Sequence, residues 1–294
     1  MSKTTPACFD VLITALAPAI WGSSYLVTTE LLPADYPLHV AMLRALPTGL
    51  LLLIFVRQFP QGIWWLKIFV LGGLNFSIFW WLLFEAAYRL PGGVAATLGA
   101  IQPLLVIFLA RGILGTSIRT LAIIAALMGL IGVALLILKP STTLDPVGIL
   151  AGIGGAFSMA LGVILSRKWR ASESLLTFTA WQLTAGGLLL LPAAIFFEPA
   201  LPPLTGQNVA GLLYLSLIGA AFTYVIWFRG IALLQPSVVS TLGFLSPTTA
   251  VILGWAFLDE HLNFWQILGL VFVLVSVWLS QTNWAAANKA TQHA

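Results

Sequence analysis

Charged side chains are scarce in this chain of 294 residues, of which only 7% are Asp, Glu, Lys or Arg. A soluble domain carries about 25% charged residues, because charges cover its surface. Hydrophobic residues make up 60% of the chain, and the mean hydropathy is +1.02. The scarcity of charge excludes a water-soluble protein and places most of the surface against lipid.

Cysteine and histidine are almost as rare. The single cysteine is Cys8, which excludes an internal disulfide framework, and the histidines lie far apart at His39, His261 and His293. No metal-ligand spacing appears, so we expect neither a metal nor a cofactor. The net charge of +4 comes from basic residues scattered among short loops, which argues against nucleic acid as a partner.

Long apolar runs are what the chain does contain. A membrane-spanning helix needs about 20 mostly apolar residues, and ten such segments follow one another with short loops between them. Continuous runs of this kind do not resemble the alternating strands of a membrane β-barrel. We predict an all-α integral membrane protein whose first segment is retained rather than cleaved as a signal peptide. The predicted helices are 11–31, 38–56, 65–88, 92–110, 119–138, 147–165, 174–197, 208–233, 237–258 and 263–282.

The distribution of Lys and Arg among the loops predicts the orientation, because cytoplasmic loops are enriched in these residues. The basic set of helix ends carries Lys3, Arg57, Lys67, Arg111, Arg119, Arg167, Lys168, Arg170 and Lys289. The other set carries Glu30, Asp35, Asp145, Glu198, Asp259 and Glu260, with only Arg89 and Lys139 among them. We therefore predict that both termini are cytoplasmic.

The sequence repeats itself weakly after about half its length. Thr97-Leu98-Gly99 with Pro103 returns as Thr241-Leu242-Gly243 with Pro247, and Arg44-x4-Gly49 followed by four leucines returns as Gln182-x4-Gly187 followed by four leucines. Phe76-Ser77 likewise matches Phe222-Thr223. Five helices followed by five helices place the second copy in the opposite orientation, as in transporters with inverted repeats. We predict a first repeat over 1–140, a second over 141–284 and a short cytoplasmic tail over 285–294.

The repeated proline motif predicts a break in the fourth and ninth helices. Proline removes one backbone hydrogen bond, and a nearby glycine permits close packing or hinging. Two interpretations stay open, since the breaks serve either as hinges of alternating access or as fixed packing kinks. The hinge candidates are Gly99, Pro103, Gly243 and Pro247.

Polar and aromatic residues at membrane depth predict a central cavity between the repeats, because polar groups there seldom face lipid. The alternative is local, since Ser and Thr in membrane helices often bond only a carbonyl one turn back. The cavity candidates are Trp21, Ser24, Tyr25, Arg44, Asn75, Phe79, Gln102, Gln182, Thr223, Tyr224 and Ser246.

The few charged residues deep in the predicted membrane helices indicate which class of substrate the protein carries. No acid lies in the body of the first predicted helix, which argues against proton-coupled export of organic cations. Only Arg44 lies fairly deep, so a phosphorylated substrate is disfavoured. Arg44 either binds a substrate carboxylate or satisfies helix-end carbonyls. A neutral or zwitterionic small molecule is the substrate class that this pattern favours.

Several features occur together in the chain: Pro37-x6-Arg44, the stretch 232–280 with Pro247 in mid-helix, Leu258-Asp259-Glu260, and Gly269 in the last helix. In these features the chain resembles the EamA family of the drug/metabolite transporter superfamily, most strongly in its second half. The first half departs from the family pattern at Arg111, where an acidic residue is usual. The resemblance covers residues 11–282.

The resemblance implies a ten-helix carrier of the bacterial inner membrane, with helices one to four and six to nine around a cavity and helices five and ten at the periphery. It also implies export of amino acids, with the aromatic amino-acid exporters as the most similar group. The alternative is a drug/H⁺ antiporter or an exporter of other metabolites. We expect no enzymatic activity, since only Asp259-Glu260-His261 offers a cluster of catalytic residue types. We expect a monomer, while Gly148-x3-Gly152 leaves a dimer open.

Overall fold

The computed structural model describes residues 5–33, 36–90, 97–137, 145–170, 172–257 and 262–292, with the side chains of 5–8, 25, 29, 87–88 and 282–292 outside the description. This part of the chain contains ten helices that are long and apolar enough to cross a membrane, and it contains no strand. The result confirms the predicted all-α membrane fold. The uninterrupted helices are α1 (Thr5–Leu31), α2 (Pro37–Val56), α5 (Thr120–Ile137), α6 (Pro146–Lys168), α7 (Leu175–Phe197) and α10 (Phe264–Gln292).

The other four helices contain an interruption. The regular part of α4 is Gln102–Leu114, within a span described from Thr97, so part of the predicted 92–110 lies outside the described residues. The segments of the other three are Trp64–Gly72, Gly73–Ser77 and Ile78–Arg89 in α3, Gly206–Leu213, Tyr214–Phe222 and Thr223–Leu233 in α8, and Pro236–Leu242 and Leu245–Phe257 in α9.

Polar side chains fix several helix starts. Asp145 accepts hydrogen bonds from the N–H groups of Val147 and Gly148 at 2.7 and 3.0 Å, and Ser174 caps α7 in the same way. The bond from Gly148 is the main cause that holds the pKa of the Asp145 carboxyl below its usual value. Caps of this kind define where each apolar run begins.

The helix contacts are symmetric between the two halves. Each extensive contact has a counterpart five helices further along the chain: α3 against α6 corresponds to α8 against α1, and α4 against α6 corresponds to α9 against α1. Some pairs correspond to themselves, and two of these, α2 with α7 and α5 with α10, form the two largest contacts. The fold is therefore two inverted five-helix repeats that meet along a pseudo-two-fold axis.

Glycines bring the self-paired helices close together. In the α2–α7 pair, a Cβ atom on Gly49 would lie 2.4 Å from the Thr184 nitrogen, and one on Gly187 would lie 2.6 Å from Leu46 Cα. In the α5–α10 pair, a Cβ atom on Gly269 would lie 2.6 Å from the Gly132 carbonyl oxygen. Only glycine permits backbones to approach this closely, as in other membrane helix pairs.

Helices α5 and α10 also support the breaks in α4 and α9. A separate apolar cluster contains Ala100 at the α4 break and Phe244 at the α9 break, together with Val133 of α5 and Val273 of α10. Thr241 beside the second break donates to Ser280 of α10 at 2.8 Å. Helices α5 and α10, which were expected at the periphery, thus pack against α4 and α9 at their interruptions.

The breaks in α4 and α9 occur within the repeated motif. The N–H groups of Ala100 and Ile101 bond to carbonyls three residues back, at 3.1 Å each, and regular helix resumes at Gln102 just before Pro103. In α9 the N–H groups of Gly243 and Phe244 make the same three-residue bonds. Both interruptions are short turns that replace the hydrogen bonds a regular helix would make.

Helices α3 and α8 contain matching π-helical segments, Gly73–Ser77 and Tyr214–Phe222. The residues 219–223 correspond to 73–77 in the repeat defined by Phe76-Ser77 and Phe222-Thr223. A π-helical turn widens the backbone and leaves carbonyl groups available to side chains from neighbouring helices. Both segments face the interface between the two repeats.

Candidate substrate cavity

Aromatic rings from both repeats fill the centre of the molecule. Phe76 of α3 contacts Tyr224 of α8 with ring centroids 4.6 Å apart, and Trp21 of α1 lies 5.0 Å from Tyr224 and 5.1 Å from Trp227. Trp80 extends the group, 5.4 Å from Phe76. These five residues, called the aromatic cluster below, are mostly inaccessible to solvent, and Phe76 has no exposed surface. The rings therefore seal the centre in this conformation.

Three predicted site residues converge on one backbone carbonyl of the α8 π-segment. Trp21 Nε1 donates to Thr223 Oγ1 at 2.9 Å and to the Gly219 oxygen at 3.2 Å. The Thr223 hydroxyl donates to the same oxygen at 2.8 Å, and Arg44 NH2 donates to it as well. The Arg44 guanidinium also lies over the Trp80 ring, 5.3 Å from its centroid. This group, the Gly219 site, joins α1, α2 and α8 beside the aromatic cluster.

Two predicted amides form a second polar group. Asn75 Nδ2 donates to Gln182 Oε1 at 2.8 Å and to Ser166 Oγ at 3.1 Å, and the Asn75 and Gln182 side chains are buried. Asn75 Oδ1 and Gln182 Nε2 have no partner among the described residues. A Cβ atom on Gly162 would lie 2.1 Å from Asn75 Oδ1, so this glycine makes the space for the amide. We call Asn75, Gln182 and Ser166 the amide site.

The Gly219 site and the amide site are related by the repeat. Arg44 and Gln182 occupy matching places, each five residues before the glycine at which α2 and α7 cross. Each reaches the π-helical segment of its neighbour, α8 for Arg44 and α3 for Gln182. Arg44 lies over Trp80 of the aromatic cluster, and Asn75 directly precedes Phe76 of the cluster in α3. The structure therefore places two repeat-related polar sites next to a shared aromatic centre.

The remaining candidates are less closely connected. Phe79 packs against the main apolar core, and Ser24 Oγ is buried without a partner among the described residues. Gln102 and Ser246 are half-buried, and neither makes a side-chain hydrogen bond to the described residues of the two polar sites. The side chain of Tyr25 lies outside the described residues.

The predicted start of α1 at residue 11 needs a correction. The helix begins at Thr5 rather than at residue 11, so it contains Asp10, which forms an ion pair with Arg229 of α8 at 2.5 Å. The pair lies at the basic end of the molecule, with side-chain exposures of 16% for Asp10 and 32% for Arg229. The acid is thus paired near a helix end and is not part of the aromatic cluster. The triplet Asp259-Glu260-His261 lies outside the described residues.

The two ends of the molecule differ in how they are closed. At the acidic end, Glu198, directly after α7, accepts from the N–H groups of Leu38 and His39 and contacts His39 Nδ1 at 2.7 Å. At the basic end there are two cavities of about 300 and 310 Å³, which share Arg167 as a lining residue. Arg167 donates to the carbonyl oxygens of Ile231 and Leu234 at the end of α8.

Similarity to known proteins identifies the class of protein. The EamA-like transporter family matches the chain twice, over residues 9–138 and 146–282. The chain belongs to that family. Each EamA-like match spans five of the ten helices, and the matched family is one of membrane transporters.

Individual relatives agree with this assignment. Protein PecM of Dickeya dadantii (strain 3937) is 44% identical over 90% of each chain, and the WAT1-related chloroplastic protein At3g02690 of Arabidopsis thaliana is 31% identical over 88% of this chain and 66% of its own. The uncharacterized inner membrane transporter YedA of Escherichia coli (strain K12) is 28% identical over 89% of this chain and 88% of its own. A crystal structure with 19% identity superposes with a TM-score of 0.80 over 94% of this EamA-like chain and 98% of the other, which shows the fold alone.

Several residues of the site have no sequence signal of their own. The Gly219 oxygen accepts three hydrogen bonds, yet any residue supplies a carbonyl, and its availability depends on the π-segment. Ser166 is adjacent to the basic group at the end of α6, which suggested a loop rather than a partner for Asn75. The pairing of Arg44 and Gln182 in the repeat was a usable signal, because it marked two equivalent polar positions.

Proposed function

We propose that this EamA-like transporter exports amino acids with large neutral side chains, aromatic ones included, and related small metabolites. Substrate passes between the repeats by alternating access, with the Gly219 site and the amide site exposed in turn. The aromatic cluster, the amides and Arg44 come from one chain, so a monomer is sufficient. The basic helix ends face the cytoplasm of a bacterial cell, and the protein spans its inner membrane with both termini inside.

The observation that supports this substrate class is the chemistry of the central residues. Aromatic rings supply an apolar surface, while one guanidinium and two amides supply the polar contacts that a carboxylate and an ammonium group need. No Asp or Glu within the described residues forms an ion pair or hydrogen bond with the aromatic cluster. An organic cation would therefore find no fixed negative charge among the described residues at the centre, whereas a zwitterion carries its own opposite charges.

Efflux from proteoliposomes tests the proposal. Vesicles that contain the purified protein are preloaded with the twenty amino acids, without an imposed ion gradient. We expect selective loss of Trp, Phe and other large neutral amino acids relative to protein-free vesicles. The absence of selective loss, both without and with a pH gradient, would overturn the proposal.

Proton-coupled drug efflux is a second candidate, and Asp10 is the observation in its favour. This carboxylate lies in α1 and bridges to Arg229 of α8, so its protonation would loosen a contact between the repeats. An imposed pH gradient distinguishes the candidates. Acceleration of cation efflux by the gradient, lost in Asp10→Asn, would support the antiporter and not the amino-acid exporter.

A further inference from the structure

The cavity of about 300 Å³ at the basic end is separate from the aromatic cluster and has the composition of a ligand site. It lies between the end of α6, the start of α7 and the end of α8. Its volume is at the lower limit of known small-molecule sites, which enclose about 300–1,000 Å³. The cavity is therefore suited to a compact molecule rather than to a large drug.

Among the described residues, one carboxylate oxygen and one guanidinium that line this cavity have no ion-pair partner. Glu173 Oε2 is shielded from solvent and has no hydrogen-bond donor among the described residues. A buried carboxylate oxygen without a donor is unfavourable, so a bound N–H group would stabilise it. Arg170 lines the same cavity and forms no ion pair in the described part of the chain, whereas Arg167 is already bonded to the carbonyls of α8.

The remaining walls of the cavity are apolar and aromatic. Phe178 of α7 and Phe228 of α8 contact each other with ring centroids 5.5 Å apart, and Leu175 and Ile231 lie beside them. An ammonium group at Glu173 and a carboxylate at Arg170 would leave an apolar side chain against these rings. The cavity thus combines three features that complement a neutral α-amino acid.

The cavity also contacts the residues of the central site. Ser166 is both a lining residue and the acceptor of the hydrogen bond from Asn75, so the amide site borders the floor of the cavity. Phe228 lies 6.0 Å from Tyr224 of the aromatic cluster. The cavity therefore adjoins both the amide site and the aromatic cluster.

We propose that this cavity is an entry site that binds a zwitterionic small molecule with an apolar side chain before the central site opens. Glu173 binds the ammonium group, Arg170 binds the carboxylate, and Phe178 with Phe228 contacts the side chain. The direction of entry rests on the proposed function, because the cavity receives substrate only if the basic end faces the cytoplasm.

Binding to the purified full-length protein in nanodiscs tests the chemistry of the site. The probes are phenylalanine, N-acetylphenylalanine, which lacks the ammonium group, and phenethylamine, which lacks the carboxylate. We expect the wild type to bind phenylalanine about tenfold more tightly than either analogue, because each charge-assisted contact contributes about that factor. Glu173→Gln should remove the preference over N-acetylphenylalanine, and Arg170→Gln the preference over phenethylamine.

Lys168→Gln is the matched control, since Lys168 is exposed in the same basic group but does not line the cavity. It should retain both preferences. Two results would overturn the entry site: Glu173→Gln and Arg170→Gln keep the wild-type preference for phenylalanine over both analogues, or they weaken the binding of all three probes equally.

Efflux of phenylalanine from proteoliposomes separates this inference from the proposed function. An entry site predicts that the two variants raise KM about tenfold while kcat changes little, since they weaken binding before the central step. Selective wild-type efflux with unchanged KM in both variants would overturn the entry site and leave the export function. A wild type that binds phenylalanine selectively but moves no amino acid would overturn the function and leave the binding site.

Discussion

Trp21 and Thr223 join α1 to α8 through a hydrogen bond of 2.9 Å, and a double-mutant cycle measures its contribution. Trp21→Phe keeps an aromatic ring but removes the donor, and Thr223→Val removes the acceptor. We expect a coupling free energy of about 0.6 kcal/mol, the average for hydrogen bonds between membrane helices. The measurement is the free energy of unfolding in mixed micelles. If the losses in free energy of unfolding of the two single variants are strictly additive, the hydrogen bond does not contribute. Trp65→Phe is the control, because Trp65 is exposed, and it should have little effect.

Gly162 determines whether the amide site forms. Gly162→Ala would place Cβ 2.1 Å from Asn75 Oδ1, so we expect the free energy of unfolding to fall by about 1–3 kcal/mol. Gly112→Ala is the matched control, because it lies in α4 with nothing within 4 Å of the added Cβ. That variant should be neutral or slightly more stable.

A rescue variant identifies the cause of the Gly162→Ala effect. Asn75→Ala removes the clashing amide, so the double variant should lose less stability than the sum of the two single variants. Additive losses would show that the clash with Asn75 is not the reason.

The amide site also shows what the residues alone do not reveal. Polarity at membrane depth indicated that Asn75 and Gln182 face protein rather than lipid. It could not indicate that they bond each other, because this contact depends on the α3–α7 crossing and on space left by a glycine of α6. Arg44 illustrates the same limit, since its acceptor is a backbone carbonyl in a π-segment.

At the level of elements, the helices were predictable because the bilayer sets their length. Nine of the ten predicted segments differ from the observed spans by a few residues at their ends, where polar caps and turns decide the boundary. The breaks in α4 and α9 were predictable from Pro103 and Pro247, since proline has no N–H group to donate the helical hydrogen bond. The π-segments of α3 and α8 have no such marker, because their geometry follows from the packing of neighbouring helices.

The break in α9 supplies a test of hinge motion. Pro247→Ala restores a backbone donor at the interrupted turn and should favour a more continuous helix. We expect efflux to slow about tenfold, as for a barrier raised by about 1.4 kcal/mol, with folding intact. Pro103→Ala should act in the same direction. The measurement is the initial efflux rate at equal protein density, together with the melting temperature.

Pro47→Ala is the control for these variants. Pro47 is an exposed proline within the uninterrupted helix α2, so it has the same chemistry away from a break. Its efflux should stay close to the wild-type rate. If Pro103→Ala and Pro247→Ala also transport at the wild-type rate, the breaks are fixed packing kinks and not hinges.

For the molecule as a whole, the symmetry of the contacts assigns different roles to different interfaces. The α2–α7 and α5–α10 pairs lie on the pseudo-two-fold axis, so a rocking motion turns them with little separation. The contact between α1 and α8 lies off the axis. Near the acidic end it includes Asn208 Nδ2, which donates to the Leu31 oxygen at 2.9 Å. In the proposed alternating access, we expect opening toward this end to separate α1 from α8.

Cross-linking compares the two kinds of interface in a Cys8→Ala background. Leu31→Cys with Gly211→Cys bridges α1 and α8, where a Cβ atom on Gly211 lies 2.9 Å from Leu31 Cβ. We expect the disulfide to abolish efflux, and reduction to restore it, because the acidic end can no longer open. Ala125→Cys with Ser276→Cys bridges α5 and α10, where Ser276 Oγ donates to the Ala125 carbonyl oxygen at 2.7 Å, and should transport equally well oxidised and reduced. Equal inhibition by both disulfides would contradict rocking about the axis, since it would require the α5–α10 pair to separate as well.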